Sequence, residues 1–233
     1  MLRPFLFFMA AIVTAVVLAA GMASITVYMR GDTSPPPERE PVPVLYDLPA
    51  FELTSQAGQA VGLDDLQGKV WIANFIFTRC PSICPMVTGR MADIQRTLEQ
   101  EDRLDDVRLV SFSVDPQHDT PEVLREYGER FNARFERWQF LTGDHNRIWR
   151  LIEDGFLLHV AEAPEDPAMP IMHSDKFVLI DRDGRIRGYY SLTDEQANDG
   201  WQLFVDLHAV INEPWPGEGD AAPPAADAEA AHR

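Results

Sequence analysis

Cysteine is scarce in this sequence: only two of the 233 residues are cysteine, Cys80 and Cys84. A small secreted protein that depends on a disulfide framework needs more cysteines, spread along the chain, so that class is excluded. Basic residues are also few, since 20 Lys and Arg stand against 37 Asp and Glu, which gives a formal net charge of −17. Such an acidic surface repels phosphate backbones, and the sequence therefore predicts no nucleic-acid partner.

The two cysteines lie close together, with only residues 81–83 between them. An isolated pair at this spacing is typical of a redox-active dithiol or of a metal site. Two unrelated buried thiols are the alternative, because free cysteine also behaves as a small hydrophobic residue. The spacing favours the first interpretation, so these residues are the leading candidates for the chemistry.

One long apolar run lies at the N-terminus, where residues 5–29 carry no charge. This length suffices for one membrane-spanning helix. A cleavable signal peptide is the alternative, because Gly21 and Ala23 are small residues that suit a signal peptidase. The run continues past them, so we expect an uncleaved, single-pass anchor over residues 1–30. No Arg- and Ser-rich transit segment is present, which favours a bacterial inner membrane with the soluble domain on the periplasmic side.

The rest of the chain divides by composition. Residues 31–45 are rich in proline and predict an extended linker. Residues 213–233 are rich in Ala, Pro and acid, which predicts a disordered tail. The folded domain is therefore expected over residues 46–212, a length that fits one ordinary domain.

Within this domain, short apolar runs alternate with helical patterns. The predicted elements are a buried strand at 70–77, a helix at 85–100, a strand at 107–114, a helix capped by Thr120, a segment at 140–142 leading into a helix at 144–153, a hairpin of 176–180 with 185–190, and a last helix at 195–211. This order predicts an α/β fold with a mixed sheet flanked by helices, as in the thioredoxin-like architecture.

Both cysteines follow directly on the first predicted strand and precede a helix. Their sulfurs should therefore lie beside a helix N-terminus, whose dipole favours thiolate over thiol. A thiolate is both a nucleophile and a soft metal ligand. Two residues separate the cysteines of typical thiol–disulfide oxidoreductases, and the wider loop here lets two sulfurs hold one ion. Two thiolates suit Cu(I) best, with zinc as the alternative.

Two sulfurs leave copper under-coordinated, and His173 is the best placed of six histidines to be the third ligand. It lies just before the predicted strand 176–180, in a loop that a thioredoxin-like fold brings beside the cysteines. Capping a turn is its alternative role. Two sulfurs and one nitrogen suit Cu(I), and one further O or N donor would allow Cu(II). The remaining candidates are interpreted as structural, packed or solvated residues: His118, His145, His159, His208, His232, Met86, Met169, Met172, and the loop-fixing Asp115 and Asp119.

Three motifs, taken together and in this order, resemble the Sco/SenC family. They are FTRCPSICP at 77–85, VSFSVDP and DTPE within 110–122, and HS, FVLID and Gly within 173–184. The resemblance covers most of residues 46–212. It implies a membrane-anchored, thioredoxin-fold protein that binds copper through Cys80, Cys84 and His173. It also implies delivery of copper to the copper A centre of cytochrome c oxidase subunit II, or reduction of the cysteines there.

The sequence departs from the family pattern at Ser82, where many members have Asp; no ligand is lost, but thiol pKa and partner recognition are expected to change. Arg79 is expected to stabilise a thiolate. Three functions stay open. The protein is a copper chaperone that exchanges ligands with its client, or a thiol–disulfide reductase with Cys80 and Cys84 as catalytic residues. A peroxiredoxin-like peroxidase ranks last, because a peroxidatic site does not need a ligand such as His173.

Overall fold

The computed structural model describes residues 40–101, 104–163, 170–193 and 198–215. The predicted anchor, most of the predicted linker and nearly all of the predicted tail lie outside these residues. Within the described ranges, no helix is long and apolar enough to cross a membrane.

Short strands make up much of the domain. In the described part of the chain they are β1 (Tyr46–Asp47), β2 (Glu52–Ser55), β3 (Ala60–Gly62), β4 (Trp71–Ile76), β5 (Arg108–Ser113), β6 (Trp138–Thr142), β7 (Val160–Glu162), β8 (Ile171–His173), β9 (Lys176–Ile180) and β10 (Arg185–Ser191). Eight of them form one sheet in the order β1-β10-β9-β4-β5-β6-β2-β3, whereas β7 and β8 pair separately. Because β4 runs parallel to β5 and antiparallel to β9, the sheet is mixed.

Helices flank the sheet. Those described are α1 (Leu63–Leu66), α2 (Ile83–Leu98), α3 (Pro121–Arg130), α4 (His145–Arg150), which continues into a π-helical turn at Leu151–Gly155, and α5 (Asp199–Ile211). Helix α2 packs against β4, α3 against β6 and α5 against β10. The predicted α/β fold with a mixed sheet and flanking helices is therefore confirmed.

The residues at the helix starts show how local chemistry determines where a helix begins. Thr120 accepts a hydrogen bond from the backbone N–H of Val123 and Pro121 follows it, so the predicted start of α3 is confirmed. The predicted start of α2 at Pro85 is wrong by two residues, since α2 begins at Ile83. Proline is accepted there because backbone N–H groups in a first helical turn have no partner within the helix. Cys84 consequently lies inside α2 rather than before it.

The central strand explains why the following loop is held firmly. All six residues of β4 are buried. Phe75 stacks on Phe112 of β5 and meets Phe156 edge-on, with ring centroids 5.8 and 5.0 Å apart. A strand buried on both faces cannot shift without opening the core. The chain that leaves β4 at Ile76 therefore starts from a fixed point.

Candidate metal centre

The cysteines occupy the connection between β4 and α2. Cys80 lies in the loop, where its backbone N–H donates to the carbonyl of Phe77 at 3.3 Å. Cys84 lies in the first turn of α2. Neither cysteine forms a disulfide, and the exposed fraction is 4% for Cys80 and 0% for Cys84. The site is thus closed to bulk water at Cys84 and opens slightly at Cys80.

His173 reaches this site from the other side. It is the last residue of β8, and two residues separate it from Lys176, where β9 begins. Its Nε2 lies 3.5 Å from Sγ of Cys84. The edge of the imidazole packs against the ring of Phe77, with centroids 5.6 Å apart and planes at 80°. The fold therefore brings one cysteine and this histidine into direct contact.

The proton on the imidazole can be assigned from its neighbours. Nδ1 of His173 lies 2.9 Å from the carbonyl oxygen of Ser174. A carbonyl only accepts, so Nδ1 carries the proton and donates it. Burial lowers the pKa of His173 in spite of that hydrogen bond and of the nearby Asp175 carboxylate, so the neutral ring is favoured. Its Nε2 lone pair then faces Cys84, which is the tautomer that a metal ligand needs.

The two thiols differ in acidity. Burial alone would raise the pKa of Cys80, but hydrogen bonds from the backbone and side chains of Cys84 and Ser82 outweigh it, so the pKa is lowered. Burial raises the pKa of Cys84, and the neighbouring Cys80 raises it further, although a hydrogen bond involving the backbone of Phe77 opposes them. Cys80 is therefore the thiol of the reduced pair that ionises more readily, and Cys84 keeps its proton and donates it to Sγ of Cys80.

Two aspartates hold the start of the cysteine loop. Asp119 accepts hydrogen bonds from Thr78 and Ser113, and burial raises its pKa against those bonds. Asp115 pairs with Arg79, whose Nε lies 2.5 Å from its carboxylate. This corrects the expectation for Arg79, because its charge is directed to a carboxylate rather than to a thiolate. The sequence indicated loop-fixing aspartates, but Thr78 and Ser113 were missed.

The other predicted histidines lie apart from this cluster. His118 and His159 are exposed, and His145 stacks near Trp149 with ring centroids 4.4 Å apart. His208 lies 3.5 Å from Glu101, and His232 is outside the described residues. Each described one fits the structural or solvated role expected of it.

The methionines differ from expectation. Met86 is 44% exposed and Met172 is 54% exposed, so neither is the packing residue that its position predicted. Met169 lies outside the described residues. Met172 is exposed because successive residues of a strand point to opposite faces, and its neighbour Ile171 is the one that is buried.

The donor set can be tested against the size of a metal ion. Zinc bonds of about 2.3 Å to sulfur and about 2.0 Å to nitrogen, at a tetrahedral angle, place the two donors about 3.5 Å apart. The contact between Cys84 and His173 has this length. Among the residues described, no three His, Cys, Asp or Glu side chains are already placed to hold an ion together. The spacing of Cys84 and His173 therefore already fits one ion, and the full set of three donors would assemble on binding.

Comparison with known proteins shows the family to which this chain belongs. The family model described as SCO1/SenC matches residues 47–200. This chain belongs to the SCO1/SenC family. The SCO1 protein homolog of Bacillus subtilis (strain 168) is 36% identical over 150 residues, which cover 64% of this chain and 76% of that protein.

Solved Sco structures agree with the fold. BsSco, described as a member of the Sco family of cytochrome c oxidase assembly proteins with a disulfide switch, gives a TM-score of 0.65 at 31% identity, covering 75% of this chain and 98% of that one. Bradyrhizobium japonicum ScoI, solved with copper bound, gives 0.59 at 27% identity, covering 70% and 99%. The predicted family and its thioredoxin-like α/β fold are confirmed, and copper is the metal that Sco homologues bind.

Proposed function

We propose that this protein is a copper chaperone that holds one copper ion through Cys80, Cys84 and His173. Its role would be in assembly of the copper A centre of cytochrome c oxidase, with subunit II as the client. The observation that carries the proposal is the 3.5 Å contact between Sγ of Cys84 and Nε2 of His173. Two sulfurs and a neutral imidazole form a soft donor set that suits Cu(I), and one more O or N donor would accommodate Cu(II).

A chaperone must capture copper and also release it. Cys84 and His173 are presented by a helix and a strand, so these two donors are held in place by regular structure. Cys80 lies on the loop, and it is the more exposed thiol. A client thiolate can displace Cys80 first and then take the ion from the remaining pair by ligand exchange. The relatives support this role, since ScoI was solved with copper and BsSco belongs to oxidase assembly proteins.

A thiol–disulfide reductase is the second candidate, favoured by the unequal thiols and by the disulfide switch described for BsSco. In that reaction the Cys80 thiolate attacks a client disulfide, forms a mixed disulfide and releases one client thiolate. Cys84 then loses its proton and attacks Sγ of Cys80, which releases the second client thiolate. The client gains two electrons and this protein leaves with a Cys80–Cys84 disulfide. A dithiol reductant must then restore it.

The placement of the protein is part of the same proposal. Residues 1–30 would anchor it in the inner membrane, residues 31–45 would link the anchor to the domain over 46–212, and residues 213–233 would form a disordered tail. The apolar run before the domain supports a periplasmic location. Protease treatment of intact spheroplasts tests it, because digestion of the domain is expected only if the domain lies outside the cytoplasmic membrane.

The metal content of the reduced full-length protein tests the ligand set. We expect one copper per chain, with X-ray absorption showing sulfur and nitrogen donors. Replacement of Cys80 or Cys84 by Ser, or of His173 by Ala, should each reduce copper retention. His159→Ala is the matched control, because that histidine precedes β7, the partner strand of β8, and is exposed. Copper bound equally by all variants would overturn the three-ligand site.

A further inference from the structure

A buried carboxylate lies next to the cysteine loop and is neither a proposed metal ligand nor one of the reacting thiols. Asp119 is 0% exposed and lies in the connection from β5 to α3. Its backbone N–H donates to the carbonyl of Asp115 at 2.9 Å, so a hydrogen-bonded turn fixes the backbone from which the carboxylate extends. A buried carboxylate is costly unless its oxygens accept hydrogen bonds. The groups that donate hydrogen bonds to Asp119 show which part of the fold it holds in place.

Most of those donors come from one residue of the cysteine loop. The hydroxyl of Thr78 donates to Oδ1 at 2.5 Å, and its backbone N–H lies 3.3 and 3.2 Å from Oδ1 and Oδ2. The hydroxyl of Ser113, at the end of β5, donates to Oδ2 at 2.6 Å. Asp119 therefore joins the end of one central strand to the residue that stands two positions before Cys80.

A second interaction, an ion pair, joins the cysteine loop to the same turn, but it is weaker. Arg79 pairs with Asp115, and half of the Arg79 side chain is exposed, so solvent screens that ion pair. The bonds from Thr78 to Asp119 are shielded and charge-assisted, which makes them the stronger restraint. Fixing Thr78 fixes the direction in which the chain approaches Cys80.

From this geometry we infer that Asp119 is a positioning residue, which holds the loop so that Cys80 can join Cys84 and His173 around one ion. The inference rests on the proposed copper site. It assigns Asp119 no contact with the metal, since its carboxylate is occupied by Thr78 and Ser113. Outer residues of this kind typically change metal affinity by about 10–100-fold when they are replaced.

The alternative is that Asp119 stabilises the domain without regard to copper, and Asp181 offers a matched control. Asp181 is 4% exposed and also accepts two backbone N–H groups, from Asp183 and Arg185. It follows Ile180, which pairs with Trp71 at the end of β4 away from the cysteine loop. Its loss should weaken the fold but leave the copper site unaffected.

The test compares Asp119→Ala, Asp119→Asn and Asp181→Ala in the full-length protein. Copper affinity is measured by competition with a chelator, the sulfur-to-copper charge-transfer band by absorption, and Tm of the metal-free protein by circular dichroism. We expect Asp119→Ala to weaken binding by about 10–100-fold and to shift the band. Asn retains an acceptor for Thr78 and can donate to Ser113, so Asp119→Asn should recover most of the affinity, to within about threefold. Asp181→Ala should lower Tm and leave affinity and band unchanged.

Thr78→Val gives a second measurement if Asp119→Ala does not fold, because it removes one hydroxyl and keeps the backbone N–H. We expect a smaller loss of copper affinity with a shifted band. Wild-type affinity and spectrum in a folded Asp119→Ala or Thr78→Val protein would overturn the inference. An equal loss of copper affinity in Asp181→Ala would also overturn it, as would an Asp119→Asn protein that binds copper as weakly as Asp119→Ala. A wild-type protein that binds no copper would instead contradict the proposed function.

Discussion

Sγ of Cys84 and Nε2 of His173 lie 3.5 Å apart, although the two residues are 89 positions apart in the chain. The helix α2 fixes one donor, and the strand β8 together with the Ser174 carbonyl fixes the other. The remaining candidate donor, Cys80, lies on the loop between β4 and α2. A site with two donors on regular elements and one on a loop can bind an ion firmly and still open on one side. That combination suits a protein that must release its metal.

His173→Ala separates the two candidate functions. The substitution removes the nitrogen donor and leaves both thiols, so copper affinity should fall by at least about 100-fold, beyond the usual effect of an outer residue. Reduction of a client disulfide should largely survive, because that reaction uses only the sulfurs. Chelator competition and a disulfide-reduction assay measure the two effects on the same preparation. Unchanged copper stoichiometry would contradict the three-ligand site, and full loss of both activities would point to a folding defect.

The reactivity of the two thiols should differ with pH. The pKa of Cys80 is below its ordinary value and that of Cys84 is above it. Alkylation of the reduced, metal-free protein by iodoacetamide, followed from about pH 6 to about pH 10, should therefore label Cys80 and leave Cys84 almost unlabelled throughout this range. Peptide mass spectrometry identifies the labelled residue. Denatured protein is the control, since both thiols should then react alike. Earlier labelling of Cys84 would show that the assignment is wrong.

The sequence predicted the parts of the fold that have a strong local pattern. The apolar run of β4, the Thr120–Pro121 start of α3 and the hairpin of β9 with β10 all occur where expected. The strands β1 to β3 and the hairpin of β7 with β8 were missed, because elements of two to four residues are too short to show a period. Strands β1 and β2 form through pairing with strands far away in the chain, as Thr54 pairs with Thr142, whereas β7 and β8 pair with each other.

The site shows the same division. The spacing of the cysteines and the helix that follows them depend on neighbouring residues, so both could be predicted directly from the sequence. The role of Thr78 depends on a hydrogen bond across 41 positions, and nothing local marks that residue. One signal was available: Ser111 and Ser113 are polar residues at alternate positions of an apolar strand, which predicts buried partners on one face.

The stability of the protein should depend on pH through His173. Its pKa is lowered in the folded state, so between that value and the unfolded value of about 6.5 the unfolded chain binds more protons. The contribution of His173 to the free energy of unfolding should therefore be greatest above about pH 6.5. It should fall as the pH decreases below that value and level off below the folded-state pKa. His173→Gln should flatten this fall when denaturant unfolding of metal-free protein is compared at several pH values. An identical pH profile in both proteins would contradict this assignment.

Arg187 should be important for stability but not for copper. Its side chain is 2% exposed, and its guanidinium donates to Asp181, Glu213 and the carbonyls of Val42 and Pro43. Arg187→Met leaves those acceptors without their donor and should lower the free energy of unfolding by about 3–5 kcal/mol. Arg185→Met is the control, because that side chain is 36% exposed and its loss should cost about 1 kcal/mol or less. Urea unfolding and copper titration of both variants measure the effects, and weaker copper binding in the folded Arg187→Met protein would contradict this separation.

Ser82→Asp introduces the carboxylate that the family resemblance leads one to expect at this position and should change the chemistry of Cys80. The Ser82 hydroxyl lies 3.9 Å from Sγ of Cys80, and its hydrogen bonds help to lower the pKa of that thiol. A carboxylate at this position removes the hydroxyl donor and adds a negative charge near the thiolate, so the pKa of Cys80 should rise. The variant should react more slowly with iodoacetamide at neutral pH, whereas its reduced copper affinity should change little, because all three donors remain. Ser82→Ala separates the two causes, since it removes the donor without adding charge and should lie between wild type and Ser82→Asp. Faster labelling of Cys80 in Ser82→Asp would show that the helix N-terminus, which favours an added carboxylate, outweighs its repulsion of the thiolate.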